Sequence, residues 1–111
     1  MQYLLLIYEN EQRFSKGYDQ AEMGEYHAFG NEFEKNIRGG NALQPTGTAK
    51  TVRVRNGKPS NIDGPFAETK EQLGGYYLIE ATDINEAAKI AAKIPGARFG
   101  SIEVRPIMTF S

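Results

Sequence analysis

Asp63-Gly-Pro-Phe-Ala-Glu-Thr-Lys-Glu-Gln-Leu-Gly-Gly-Tyr-Tyr-Leu-Ile-Glu80 decides the fold. Its first half is turn chemistry: Asp63 can bond its own backbone, Gly64 permits positive φ, and Pro65 fixes φ and removes a donor. Its second half, Tyr76-Tyr-Leu-Ile-Glu-Ala81, is aromatic and apolar, follows Gly74-Gly75, and reads as a strand. Between them Glu68-Thr-Lys-Glu-Gln72 is dense in charge. A polar loop feeding a buried strand is a common place for binding and catalytic groups.

Upstream, Lys50-Thr-Val-Arg-Val-Arg55 alternates apolar and polar, as a strand with one wet face does. Asn56-Gly57 is a hairpin turn signal, and Lys58–Ile62 returns as the partner strand. Downstream, Asp83-x-x-Glu86 opens a helix whose stripe is Ile84, Ala87, Ala88, Ala91 and Ile94, stopped by Pro95-Gly96. Phe99–Ile107 is the last strand, with Ile102 and Val104 on one face.

At the other end of the chain, Gln2–Tyr8 is a strand apolar enough to be buried on both faces, and Glu9–Lys16 is an irregular loop. Tyr18-Asp19-x-x-Glu22 starts the first helix: Asp19 caps the Glu22 amide, Glu22 reaches back, and Tyr18 staples onto Met23. Met23, Tyr26, Phe29, Phe33 and Ile37 form its stripe to about Arg38, and Gly39-Gly40 ends it. Ala42-Leu43-Gln44 is a short extended segment. Two βαβ halves with an inserted β-hairpin predict an α+β, ferredoxin-like βαββαβ sandwich, with both helices on one face of an antiparallel sheet. The strands Tyr3–Tyr8 and Tyr76–Ala81 do not alternate as a sheet with one wet face should. A second copy of the chain is the economical cover, so a homodimer is expected.

Composition narrows the function. The 111 residues suit one domain, 1–111. A net charge of −1 argues against direct nucleic-acid binding. There are no cysteines and one histidine, which excludes thiolate chemistry and a histidine-rich metal site. The glycines have no phosphate-binding spacing, and no cofactor is expected. The apolar run at the N-terminus is too short to span a bilayer and lacks signal-peptide architecture, so the expectation is a cytoplasmic protein with no membrane association.

The central stretch resembles the hallmark of the YCII-related family, in its DGPF-motif branch. Tyr3-Leu-Leu-Leu-Ile-Tyr8, Thr51-Val-Arg-Val-Arg55 and Gly100-Ser-Ile-Glu-Val-Arg-Pro106 are similar to that branch too. The resemblance implies a ferredoxin-like fold that dimerises into an α/β barrel. Members are mostly uncharacterised small bacterial proteins. Some relatives are lyases or dehalogenases acting on chlorinated aromatic ring products, and others are linked to extracytoplasmic-function sigma factors. The family's proposed His–Asp pair falls on His27 and Asp63.

His27 lies about 100° round the helix from Tyr26, at the border of core and solvent. It is either a packing residue or a titrating group aimed into a cavity. Asp63 is a turn residue, a site residue, or both. Glu68 and Glu71 are lesser acid/base candidates, Glu71 also a substrate contact, and Lys70 belongs to a solvated loop. Thr51, Arg53 and Arg55 share a strand face that is either a wet hairpin face or a site for an organic anion. Tyr76 and Tyr77 point to opposite faces, so one can line a cavity; Tyr77 is the substrate-binding candidate. Two functions stay open. One is a cofactor-independent lyase or isomerase acting on a small organic substrate, with His27 as acid/base and Asp63 orienting it. The other is a non-catalytic ligand-binding or regulatory dimer linked to sigma factors.

Overall fold

A computed structural model describes residues 1–110. Strands β1 (Gln2–Glu9), β2 (Ile37–Ala42), β5 (Gln72–Glu80) and β6 (Ser101–Pro106) form one antiparallel sheet in the order β2-β5-β1-β6. Helices α1 (Gln20–Glu32) and α2 (Ile84–Ala91) complete a ferredoxin-like βαββαβ sandwich. Strands β3 (Lys50–Arg55) and β4 (Lys58–Asp63) pair only with each other, as the inserted hairpin. Its turn has φ of 52° at Asn56 and 75° at Gly57, the two positive values a tight Asn-Gly hairpin needs. No helix among the described residues is long and apolar enough to cross a membrane.

The core follows from side-chain alternation along the strands. Tyr3, Leu5 and Ile7 of β1 are buried, and Leu5 is paired with Tyr77 on one side and Val104 on the other. Ile79, Phe29, Ala87, Ile90, Ala91 and Ile94 close that layer, with Ile102 and Val104 packed against it. Leu4, Leu6 and Tyr8 point to the other face and are half-buried. Strand β1 is therefore buried on one face only, where its uniform apolarity predicts two. Leu4 pairs with Leu78, and Leu6 with Tyr76, so the outer face carries a contiguous apolar strip.

Several element ends differ from the sequence reading. Helix α1 stops at Glu32, a turn and a half before Arg38, and Ile37 begins the edge strand. Asn36 makes the junction: its side-chain amide donates to the Glu80 carbonyl at 2.9 Å, and its own carbonyl accepts from Glu80 at 2.8 Å. Gly39 and Gly40 are thus strand residues, not a helix cap. A Cβ on Gly40 would stand 2.6 Å from the Tyr76 carbonyl oxygen, so only glycine permits this approach of β2 to β5. Strand β5 starts earlier, at Gln72, and runs through a bulge: Ile7 pairs with Gly75 and Tyr8 with Leu73, leaving Gly74 over. The last strand is trimmed to Ser101–Pro106.

The caps differ in detail. Asp19 accepts from Ala21 rather than Glu22, and the Glu22 carboxylate turns to Arg13. Tyr18 lies on Phe14, with ring centroids 5.0 Å apart. In α2, Asp83 caps Glu86 as expected, and the Glu86 carboxylate reaches the Thr82 amide.

Candidate functional site

Between α1 and the β2–β5 edge lies a cavity of about 1190 Å³. Its sheet wall is built partly from main chain, because Gly40, Gly74 and Gly75 contribute no side chains. A Cβ on Gly75 would stand 3.1 Å from the Asn41 carbonyl oxygen, a tight approach that favours glycine on that wall. The helix wall carries Met23, Tyr26 and His27, one turn or one residue apart on α1. Tyr76 and Tyr77 both line the cavity, and Tyr77 packs its ring 5.1 Å from Phe29. Burial pushes the Tyr77 phenol above its ordinary pKa.

The deep end of the cavity is a buried ionic cluster. Glu9, the last residue of β1, and Glu22 of α1 are each only 7% exposed. Arg13, from the 3-10 turn Glu11–Phe14, serves both: its Nη2 stands 3.0 Å from Glu9 Oε1 and 2.9 and 3.1 Å from the two Glu22 oxygens. Its guanidinium lies 3.8 Å from the Phe99 ring centroid, a position that favours a cation. Burial raises the Glu9 pKa, and Arg13 opposes that rise. The Tyr26 hydroxyl sits beside Glu9 and the Gly96 backbone; burial first, then the Glu9 charge, hold its phenol far above the usual range. Tyr26 is therefore a neutral hydrogen-bonding group at neutral pH. At the mouth, Glu11 accepts from the Thr46 hydroxyl at 2.6 Å and the Thr46 amide at 2.8 Å, tying the start of the hairpin segment to the cavity rim.

Of the sequence candidates, His27 and Tyr77 line this cavity. His27 is exposed on the helix surface and forms no hydrogen bond or ion pair among the described residues. Asp63 ends β4, has its side chain 90% exposed, and sits 3.8 Å from Lys50 Nζ. It does not line the cavity, so a His27–Asp63 contact is not made within one chain. Arg53 and Arg55 are on the hairpin, with Arg53 5.2 Å from the Phe66 ring centroid and Arg55 donating to the Val54 carbonyl. Glu71 stands just before β5 and accepts from the Ser101 hydroxyl at 2.9 Å. Among the described residues, no three His, Asp, Glu or Cys side chains converge as metal ligands would. The residues that sequence reading missed are Glu9, Arg13, Glu22 and Tyr26. The one sequence signal for them is Glu9, a charge ending an otherwise apolar run on its buried parity.

A ferredoxin-like sandwich with an aromatic, acid-lined cavity between its first helix and its edge strands defines a class of small α+β proteins. Within that class, the chain belongs to the YCII-related domain family, whose profile matches residues 1–111. It is 37% identical over 117 aligned positions to the uncharacterized protein R00369 of Rhizobium meliloti (strain 1021), covering 99% of this chain and 94% of that protein. It is similar in structure to the 5-chloro-2-hydroxyhydroquinone dehydrochlorinase TftG from Burkholderia phenoliruptrix AC1100, in complex with 2,5-dihydroxybenzoquinone. The TM-score is 0.57 at 14% identity, over 97% of this chain and 94% of that one. At that identity the likeness is one of fold.

Proposed function

We propose that the cavity beside α1 binds a small oxygenated or aromatic organic molecule, and that the chain acts on it by cofactor-independent proton transfer, as a lyase or isomerase. The observation that carries this reading is the cavity itself: it is roomy and ringed by aromatic side chains, and it has a lone histidine on its wall. Cavities of this kind suit planar organic ligands, with few polar groups to fix orientation. The structural likeness to a dehydrochlorinase holding a dihydroxybenzoquinone supports the same ligand class. His27 is the proton-transfer group in this proposal, because its ring is free to meet a ligand. Tyr77 and Tyr26 would supply ring contact and a neutral hydrogen-bonding hydroxyl. An orienting role for Asp63 would need the hairpin of a second chain, since Asp63 lies outside the cavity of its own.

A second reading is a ligand-binding dimer without turnover, linked to sigma-factor regulation. Among the described residues none orients His27 within its own chain, and that favours this reading, because a general base is usually held in one tautomer by a neighbour. Both readings include a homodimer built on the outer strip Leu4, Leu6, Tyr8 and Leu78.

Titrating the protein with 2,5-dihydroxybenzoquinone and chlorinated hydroxyquinols in a thermal-shift assay tests the binding step. A concentration-dependent rise in Tm is expected. It should be lost in His27→Ala, whose own Tm should stay within a few degrees because the ring is exposed. Chloride release or a change in quinone absorbance would then separate turnover from binding. No shift with any of these ligands, or an undiminished shift in His27→Ala, overturns the proposal.

A further inference from the structure

The hairpin residues 50–63 do not pack on the body of the chain. Among the described residues strands β3 and β4 bond only to each other, and the ribbon is closed on itself at its base, by the Gly64 amide to the Ala49 carbonyl and by the Thr51 hydroxyl to the Gly64 carbonyl. An isolated two-stranded ribbon is marginal in water and needs a further surface to lie on. The molecule measures 46 × 46 × 19 Å, and its radius of gyration of 15.9 Å exceeds the roughly 13 Å of a compact chain of this length.

Register assigns the chemistry of the two faces. Thr51 pairs with Ile62, Arg53 with Ser60 and Arg55 with Lys58, so one face presents Arg53, Arg55, Lys58 and Ile62 together. Phe66 lies under Arg53 and is 75% exposed. The ribbon holds four basic residues and one acid, which leaves nine bases against thirteen acids in the rest of the chain. Among the described residues the cavity lining holds no lysine or arginine; of its glutamates, Glu9 and Glu22 are paired with Arg13 behind them, and Glu11 at the mouth meets only the uncharged Thr46, so the rim keeps a negative charge. Exposed Tyr18 and Met23 stand at its mouth. The ribbon springs from that same rim, between Pro45 and Gln72.

We propose that two copies of this chain exchange these ribbons, each laying its basic face across the cavity mouth of the other. Each six-residue strand is about 20 Å long, enough to cross the mouth of a 1190 Å³ cavity. Springing from the rim and extending away from it, the ribbon suits a two-fold arrangement in which each copy gives and receives the same contact. Ile62 and Phe66 meet Tyr18 and Met23, and the arginines face Glu11 at the rim, the lining carboxylate that Arg13 does not pair. The ribbon also completes the ligand site. Arg53 and Arg55 bring a planar, doubly donating cation to a pocket whose own nearby arginine, Arg13, is already committed to Glu9 and Glu22. This last part rests on the cavity being a ligand site; the exchange of ribbons does not.

The chain has no cysteines, so pairs of introduced thiols report proximity cleanly. Ile62→Cys and Met23→Cys are made as separate proteins, mixed at a concentration where subunits exchange, and joined with a short bis-maleimide. A covalent dimer containing one of each protein is expected, and in the double variant the link should run between chains. Hydrogen exchange of residues 50–63 should slow as protein concentration rises. A dimer by light scattering with no mixed cross-link, a link within one chain, or a monomer at every concentration overturns the proposal. A mixed cross-link in a protein that takes up none of the quinone ligands leaves the ribbon exchange standing and removes only the ligand reading.

Discussion

Arg13 is the residue on which the deep end of the cavity depends. It neutralises two carboxylates that are each only 7% exposed. Arg13→Ala should destabilise the protein by about 3 kcal/mol in urea unfolding, because removing one partner leaves buried charge uncompensated. Glu9 sets a pH dependence. Its folded pKa lies above its unfolded value, so the folded state holds the proton more tightly. Its contribution to stability therefore falls as pH rises from the ordinary carboxylate value through the raised one. Glu9→Gln removes this titration. Relative to Glu9→Gln, the unmodified protein should gain in Tm as pH is lowered from neutrality towards 4.5; a constant difference would refute the assignment. Of this cluster only Glu9 leaves a trace in the sequence, a charge on the buried parity of β1, and the cluster as such was not legible. Glu9 and Arg13 read as the start of a loop, and Glu22 as a cap, because their partners come from three separate elements. That His27 and Tyr77 would face a cavity was legible, since the face of a helix and the parity of a strand follow from local period alone.

At the scale of the element, glycines divide into those that terminate and those that permit approach. Gly-Gly after an apolar helical stripe reads as a stop, yet Gly39-Gly40 lies inside β2. The helix and strand periods both fit the residues around Ile37, and the pairing with β5 decides between them. The two glycines are unequal. Gly40→Ala drives a methyl into the Tyr76 carbonyl and the Tyr77 ring and should cost about 1–3 kcal/mol. Gly39→Ala meets nothing within 4 Å and should stay within roughly 0.5 kcal/mol. Equal effects in chemical denaturation would remove the close-approach argument. Asn56-Gly57 was fully legible, because a tight turn is a two-residue event. Gly57→Val should speed hydrogen exchange between Lys50 and Ile62 and leave β1 and β5 protected, since the ribbon shares no core with them.

For the whole molecule, the ferredoxin-like topology followed from the order of its elements. Their partners outside the chain did not follow, because the sequence shows only that a face is apolar. Leu4 and Leu78 stand opposite each other on that face. On the homodimer proposed above, Leu78→Glu should shift the protein from dimer to monomer in light scattering at micromolar concentration, while circular dichroism stays unchanged. A monomer before substitution, or a dimer after it, would show that the strip is not the interface.

The bare sheet wall of the cavity has a consequence for how this protein can change over generations. Point mutation replaces side chains, and at Gly40 the wall is backbone held too close to Tyr76 for a Cβ to enter, while at Gly75 a Cβ would have to push the Asn41 carbonyl aside by a few tenths of an ångström. Side-chain change is freest across the gap, on the exposed face of α1 where Met23, His27 and Asn31 stand. A library at those three codons should return folded proteins with altered ligand preference, whereas one at Gly40 should return mainly destabilised chains.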